Sequence, residues 1–242
     1  MAVRRGLLCL SIGAKTQSEA LDLLDRLGSA ADVVEIRLDS FEHPDPQPFL
    51  QRSPVPLLFT NRPDWEGGFF HGSEAARIEP LLQAAAAGAA YIDCELRAPE
   101  RSRHLLREAT AASGSRLLFS WHDFLHTPAW PELRTVMQQM RRAGCDVGKI
   151  VTMAHHQLDV LRVLRLLEEA INASFPLAAF CMGRPGMISR LATVELGGYM
   201  TYCAATSDAA TAPGQLGIEQ VRAILDHCAG ATGTHAGGND EH

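Results

Sequence analysis

The chain has 242 residues, of which 46% are hydrophobic and 21% are charged, and its formal net charge is −6. This size and composition predict one large soluble domain or two small ones, with a sizeable core. The mild acidity and the lack of a basic tract argue against a nucleic-acid partner. The first apolar run, Leu7 to Leu10, is too short for a signal-peptide core or a membrane span, so the sequence favours a cytoplasmic protein with no membrane contact.

The cysteines and histidines suggest no metal chemistry. None of the six cysteines belongs to a C-x-x-C pair, and the ten histidines include no H-E-x-x-H or comparable spacing. The sequence therefore predicts neither a zinc site nor a disulfide framework, and reduced thiols in strands pack as small hydrophobic groups.

Strand-like and helix-like segments alternate along the whole chain. In the first half we predict strands at Leu7–Ile12, Asp32–Arg37, Pro54–Thr60 and Tyr91–Glu95. Helices are predicted at Ser18–Leu27, Glu74–Ala87 and Pro99–Ser113. The proline-rich loop Pro44–Pro48 leaves room for a short helix at most. In the second half we predict strands at Arg116–Ser120, Val147–Thr152, Pro176–Cys181 and Tyr199–Tyr202. Helices are predicted at Thr127–Ala143, Gln157–Asn172, Ile188–Glu195 and Gly217–Cys228. Pro128 is predicted to lie in the first turn of its helix.

Eight strand–helix units in about 230 residues predict a single-domain (β/α)8 TIM barrel. A doubly wound open sheet is the alternative, but it needs a phosphate loop after the first strand. Residues Ser11 to Lys15 contain no G-x-G-x-x-G, which weakens that alternative. We predict a catalytic barrel over residues 1–229 and a disordered tail, rich in glycine and polar residues, over residues 230–242.

Charged residues lie at or just after the carboxyl ends of several predicted strands, and in a barrel these ends surround the active site. Glu35 and Arg37 share one face of the second strand, and Asp93 and Glu95 share one face of the fourth. A single pair such as Glu35 and Arg37 is better explained as a structural ion pair. Charges at the same end of consecutive strands are costly to bury, however, and a polar ligand accounts for the whole set. The other members are Arg62, Glu66, His122, Lys149 and Arg190, and the polar but uncharged Gln215 follows the eighth strand.

Lys149 stands within an almost wholly apolar strand, Val147–Thr152. Burial among apolar side chains lowers the pKa of a lysine and leaves a neutral amine that can attack a carbonyl. From this segment alone, a lysine that reaches the surface or pairs with a carboxylate is the better interpretation. Together with the other strand ends, Lys149 and His122 indicate a nucleophile and an acid–base group in a site for an anionic, hydroxylated substrate.

Seven motifs together resemble one known family. They are E-I-R-L-D, T-N-R-x-x-x-E-G-G, D-C-E, S-W-H-D-F, G-K-I-V, M-G-R-P-G-M-I-S-R and A-P-G-Q-L. They occur in the order typical of the type I 3-dehydroquinate dehydratases, the Schiff-base-forming dehydratases of the shikimate pathway. With Ser11 they cover residues 11–215, nearly all of the predicted barrel.

The resemblance implies a (β/α)8 barrel, commonly a homodimer, that needs no metal or other cofactor. It implies a hydro-lyase that converts 3-dehydroquinate to 3-dehydroshikimate by syn elimination, in aromatic amino acid biosynthesis. By position, Lys149 resembles the Schiff-base lysine, His122 the proton donor and acceptor, and Glu66 its acidic partner. Arg190 resembles the arginine that binds the substrate carboxylate. The residues implied around the hydroxyls are Ser11, Glu35, Arg37 and Arg62, and those closing over the carboxylate are Thr211 and Gln215.

Two other functions fit parts of the pattern. A class I aldolase on the same barrel would share Lys149, and phosphate-binding glycines after the seventh and eighth strands would favour it. Arg190 and Gln215 in that region suit a carboxylate better. A non-catalytic binding barrel would have lost Lys149 or His122, and the sequence retains both.

Overall fold

The computed structural model describes residues 5–205 and 212–231. Within these ranges eight strands alternate with eight α-helices. In chain order they are β1 (Leu7–Ile12), α1 (Gln17–Leu27), β2 (Val33–Arg37), α2 (Gln47–Arg52), β3 (Leu57–Thr60), α3 (Glu74–Ala86), β4 (Tyr91–Glu95), α4 (Glu100–Ser113), β5 (Arg116–Asp123), α5 (Trp130–Ala143), β6 (Val147–Met153), α6 (Gln157–Asn172), β7 (Leu177–Met182), α7 (Met187–Glu195), β8 (Met200–Cys203) and α8 (Ile218–Ala231).

The strands form one parallel sheet in the order β7-β6-β5-β4-β3-β2-β1-β8. The first strand, β1, pairs with β2 on one side and with the last strand, β8, on the other, which brings the two ends of the chain's strand series together. The backbone N–H of Tyr199, just before β8, donates to the carbonyl of Leu177 at the start of β7 at 2.8 Å. The sheet is thus a nearly closed barrel surrounded by helices, and the predicted single-domain (β/α)8 fold is confirmed. No helix in the described ranges has the length and apolarity that a bilayer span requires.

The amino-terminal side of α5 differs from the sequence prediction. The helix begins at Trp130 and carries Pro131, rather than Pro128, in its first turn. Thr127 instead lies in the connection before the helix. Its hydroxyl donates to the carbonyl of Met153 at 2.8 Å, and its own carbonyl accepts from Arg162 at 2.8 Å. These contacts bridge residues distant in sequence, so local propensity did not reveal them.

Two further boundaries affect the site and the tail. Strand β5 continues to Asp123 because His122 and Asp123 pair with Val151 and Thr152 of β6, so His122 lies within the strand. Helix α8 runs to Ala231, two residues into the stretch predicted as a tail. Residues 232–242 lie outside the described ranges, and the disordered tail stays a prediction.

The barrel has an apolar layer on each side of its strands, because alternate strand residues point inward and outward. The outward side chains pack against the helices and include Leu10, Ile36, Phe119 and Ile150. The inward side chains near the amino ends of the strands are also apolar and include Cys9, Leu58, Leu118 and Met200. Further along the strands the inward positions become polar, and this change places the charged residues together at the carboxyl end.

A buried ionic network fills the barrel interior at this polar level. Arg62 donates to Asp93 at 2.8 Å, to Glu95 at 2.6 Å and to the Ser120 hydroxyl at 2.6 Å. Arg77, fully buried on α3, donates to the other oxygen of Glu95 at 2.6 Å. Burial raises the pKa of Glu95 to about 7, although the Arg62 and Arg77 charges oppose the rise. The network links β3, β4, β5 and α3 beneath the cavity described below.

We expect Arg77→Met to lower the free energy of unfolding by about 3–5 kcal/mol, because it leaves Glu95 buried with one counter-charge fewer. Urea-induced unfolding followed by circular dichroism measures the change. The matched control is Arg101→Met, which removes an exposed arginine from α4 and should alter stability by less than about 0.5 kcal/mol. Equal stability of the two variants would contradict a structural role for the network.

Candidate active site

A cavity opens at the carboxyl ends of the strands. The predicted site residues within the described ranges all line it. Thr211 lies outside those ranges, so its place in the site stays a prediction. The lining side chains are those of Ser11, Glu35, Arg37, Arg62, Glu66, His122, Phe124, Lys149, Val151, Phe180, Met182, Arg190, Tyr202, Ala212 and Gln215, together with Gly67.

Lys149 projects from β6 into this cavity and is only 6% exposed. Its Nζ lies 3.7 Å from Oε1 of Glu35 and 3.6 Å from the centre of the Tyr202 ring. Burial lowers the pKa of Lys149, while the negative charges of Glu35 and Asp93 partly oppose that effect. The result is an amine that loses its proton more readily than an exposed lysine does.

The carboxylate of Glu35 is held ionised beside the lysine. Burial raises its pKa, but the charges of Lys149 and Arg37 and the hydrogen bond from Ser11 outweigh burial, and the pKa falls to about 2. The Ser11 hydroxyl donates to one carboxylate oxygen, and the Thr60 hydroxyl donates to the other at 2.9 Å. Glu35 therefore provides a fixed negative charge near Nζ.

His122 projects from β5 and is oriented by Glu66. The backbone N–H of His122 donates to Oε1 of Glu66 at 3.0 Å, and Nδ1 lies 3.1 Å from the same oxygen. Since a carboxylate accepts hydrogen bonds, we assign the ring proton to Nδ1, which leaves Nε2 unprotonated. Burial and the positive charges of Arg62 and Lys149 hold the pKa of His122 well below its usual range. The ring is therefore a neutral imidazole with a basic Nε2.

Two glycines explain the G-G step of the second motif, T-N-R-x-x-x-E-G-G. Gly67 has a positive φ of 76°, and a Cβ there would come within 2.3 Å of the Phe124 ring. That ring stacks on the imidazole of His122, with 5.8 Å between ring centres. A Cβ on Gly68 would lie 2.0 Å from the carbonyl oxygen of Arg62. Both glycines allow the loop after β3 to approach the site closely enough to place Glu66.

Arg190, on α7, points its guanidinium into the opposite side of the cavity and is 2% exposed. Its Nη2 donates to the Pro213 carbonyl at 3.2 Å, and its Cζ lies 4.8 Å from the Phe180 ring centre. Among the described residues, its Nε has no hydrogen-bond partner. Burial lowers the pKa of Arg190 to about 10. A buried guanidinium with an unused donor is suited to bind an anion.

The other two cavity arginines already have carboxylate partners. Arg37 forms a bidentate pair with Asp39, at 2.9 and 2.6 Å, and does not form the direct pair with Glu35 that the sequence allowed as an alternative. Arg62 is held by the buried network around Asp93. Both line the cavity, where they contribute fixed positive charge.

Sequence reasoning did not identify two residues that contact the predicted site residues. Tyr202 ends the inward face of β8 and places its ring beside Lys149. Arg97 follows β4 and hydrogen bonds to Glu66. Arg97 lies in the turn after β4, where strand alternation gives no signal for its direction. In the described residues, no group of three or more histidine, cysteine or acidic side chains is arranged to hold a metal ion.

Comparison with known proteins identifies the family. The model of the type I 3-dehydroquinase family matches residues 8–231. A 3-dehydroquinate dehydratase from Desulfotalea psychrophila is 45% identical over 218 residues, which cover 90% of this chain and 96% of that protein. The enzyme of the same name from Methanosarcina barkeri is 34% identical over 205 residues, covering 81% of this chain and 85% of that protein.

Solved structures agree with the sequence comparison. A type I 3-dehydroquinate dehydratase from Clostridium difficile, crystallised with covalently modified comenic acid, superimposes with a TM-score of 0.86 at 25% identity and covers 96% of this chain and 95% of that one. The 3-dehydroquinate dehydratase of Geobacillus kaustophilus gives a TM-score of 0.85 at 28% identity, covering 95% and 93%. The match spans nearly the whole barrel and every strand of the cavity, and the chain therefore belongs to the type I 3-dehydroquinase family.

Proposed function

We propose that the protein is a 3-dehydroquinate dehydratase that forms 3-dehydroshikimate by syn elimination of water through a Schiff base on Lys149. Its place would be the shikimate pathway of aromatic amino acid biosynthesis. The observation that carries the proposal is the buried Lys149, which shares one cavity with a neutral His122 and an arginine suited to an anion. 3-Dehydroquinate has a ketone, a carboxylate and several hydroxyls, and each has a chemical counterpart among these side chains.

The first step requires the neutral amine of Lys149. Its nitrogen lone pair attacks the ketone carbon, and loss of water from the resulting carbinolamine leaves a protonated imine. The lowered pKa of Lys149 increases the fraction of neutral amine. Glu35, 3.7 Å from Nζ, then faces the positive charge of the iminium. The iminium is an electron sink, so the adjacent C–H bond becomes much more acidic.

His122 is suited to move the proton. Nε2 removes it from the carbon beside the iminium, and the electron pair forms the enamine. The enamine expels the β-hydroxyl group, which leaves as water after taking a proton from the imidazolium. Glu66 stabilises that imidazolium through Nδ1–H. Water then hydrolyses the iminium, which releases product and restores the amine. A positioned base or acid contributes about 100- to 10,000-fold to the rate.

Arg190 is the proposed partner of the substrate carboxylate. Its planar guanidinium offers two parallel donors, and the nearby Phe180 ring limits its orientation. A carboxylate fixed there would direct the ring of the substrate, so that one hydrogen faces His122. We propose that Gln215 and Thr211 close over the same carboxylate, and that Ser11, Glu35, Arg37 and Arg62 face the hydroxyls.

The resemblance also implies a homodimer, and the short first apolar run favours a cytoplasmic location; both stay predictions. One surface suits contact with a second copy: Leu158 and Leu161 on α6 and Ile188 on the adjacent α7 are 69%, 62% and 59% exposed. Large exposed apolar side chains on neighbouring helices are typical of protein–protein interfaces.

Borohydride trapping tests the Schiff base directly. Protein incubated with 3-dehydroquinate and then borohydride should lose activity, and its peptide containing Val147 to Met153 should gain the reduced ligand mass. Borohydride alone should change nothing, because no carbon–nitrogen double bond exists before substrate binds. The Lys149→Ala variant should neither convert the substrate nor be labelled by it after borohydride. The Lys15→Ala variant, which lacks the only other lysine of the chain, should show both turnover and labelling. Trapping at Lys15 would contradict the mechanism.

His122→Ala should lower kcat by at least about 100-fold, because it removes the proposed base while leaving the fold intact. The conjugated enone absorbance of the product gives the rate, and circular dichroism checks folding. His126→Ala is the control, since His126 is exposed and does not line the cavity. Ordinary turnover by His122→Ala would show that another group moves the proton.

Arg190→Ala should mainly weaken substrate binding. A charged hydrogen bond contributes roughly 1.5–3 kcal/mol, which corresponds to a roughly 10- to 150-fold rise in KM. Steady-state kinetics by the same absorbance assay measure KM and kcat separately. The control is Arg141→Ala, an exposed arginine on α5. An unchanged KM for Arg190→Ala would place the carboxylate elsewhere.

A further inference from the structure

Arg97 links the two residues that the proposed proton transfer uses. It follows β4, and its Nε donates to Oε2 of Glu66 at 3.0 Å. Its Nη2 lies 2.9 Å from the same oxygen and donates to the backbone carbonyl of His122 at 2.9 Å. One guanidinium therefore joins the loop after β3 to strand β5. Arg97 does not line the cavity.

We propose that Arg97 is a positioning residue for the dehydration: it holds Glu66 as an oriented carboxylate and thereby keeps Nε2 of His122 free to accept the substrate proton. The inference rests on the proposed function for its kinetic consequence. Its structural part, the control of the His122 tautomer, does not depend on turnover.

The carboxylate of Glu66 needs Arg97 because it is fully buried. Burial raises the pKa of Glu66, and Asp93 adds to the rise, while the positive charges of Arg62 and Arg97 oppose it. Arg62 directs its described hydrogen bonds to Asp93, Glu95 and Ser120 of the buried network. Arg97 is thus the arginine that hydrogen bonds to Glu66 itself, and a buried carboxylate deprived of such a donor is protonated more readily.

Protonation of Glu66 would change the tautomer of His122. Oε1 of Glu66 accepts from both the backbone N–H and Nδ1–H of His122, and Oε2 accepts from Arg97. A carboxylic acid has a proton of its own to donate, and Nδ1 is a neighbouring acceptor for it. The imidazole would then carry its proton on Nε2, where it blocks the base.

The charges that face His122 define the direction of the pH effect. Arg62, Lys149 and Arg37 lower its pKa, and Asp93 raises it. None of these charges changes when Arg97 is replaced. The expected change comes through Glu66: its pKa rises without Arg97, so the carboxylate is lost at a higher pH as the solution is acidified. The acid limb of the kcat profile should therefore move to higher pH.

A purely structural role for Arg97 predicts a different result. Its side chain is 47% exposed, so its ion pair with Glu66 is partly screened by water and its loss should cost modest stability. A residue that only tied β5 to the neighbouring loop would alter unfolding without moving the pH profile or the tautomer. The pH profile of kcat and the tautomer of His122 therefore distinguish a positioning role of Arg97 from a purely structural one.

The experiment compares Arg97→Met, Arg97→Lys and the control Arg101→Met, which also removes one arginine charge near the start of α4. For Arg97→Met we expect kcat to fall while KM stays nearly unchanged. The acid limb of its kcat profile should shift to higher pH by about one unit. Arg97→Lys should restore part of kcat, because it supplies the charge without the planar fork. Arg101→Met should match the wild type.

Nitrogen-15 NMR of the histidine side chains, with His122 assigned by comparison with His122→Ala, reports the tautomer without substrate. The wild type should show Nδ1–H, and Arg97→Met should show Nε2–H at the pH of its reduced kcat. The same tautomer and the same kcat profile in wild type and Arg97→Met would overturn the proposal. A wild type that neither turns over nor traps substrate would instead refute the proposed function, and the NMR comparison would still decide the role of Arg97.

Discussion

The buried guanidinium of Arg62 is the charge on which the cavity depends. Together with burial it lowers the pKa values of His122 and Lys149, and it opposes the rise that burial imposes on Glu66 and Glu95. One positive charge thus favours neutral bases and ionised carboxylates at the same time. The apolar layer below it excludes water, which strengthens each of these interactions. The network stabilises the barrel and also adjusts the protonation states of the residues above it.

The arginines of the site differ in whether the protein itself satisfies them. Arg62 and Arg37 are held by carboxylates of the protein at hydrogen-bonding distance. Arg190 contacts a carbonyl and an aromatic ring, and among the described residues no carboxylate forms an ion pair with it. Burial without such a partner lowers its pKa to about 10. The barrel therefore retains one buried positive charge whose natural complement is a negative charge on a ligand.

Sequence patterns predicted the fold well because strand and helix signals were local. Apolar patterns along the chain located β1, β4 and α6 at the observed residues. The predicted start of α5 was wrong because contacts with β6 and α6 hold Thr127 outside the helix. Arg97 was missed for the same reason, since its partner Glu66 lies 31 residues away in sequence. Motif order predicted which residues line the cavity, but which arginine bonds to which carboxylate depends on tertiary geometry.

The proposed Schiff-base mechanism requires the environment of Nζ to suit two opposite charge states. Attack on a ketone needs a neutral amine, which burial favours, whereas the iminium that follows is a cation, which burial disfavours. Glu35 at 3.7 Å and the Tyr202 ring at 3.6 Å both favour a cation at this position. They therefore limit how far the pKa of Lys149 can fall, and in the proposed mechanism they would stabilise the iminium. A more apolar site without Glu35 would provide more neutral amine but a less stable iminium, so the observed arrangement suits both steps of the proposed mechanism.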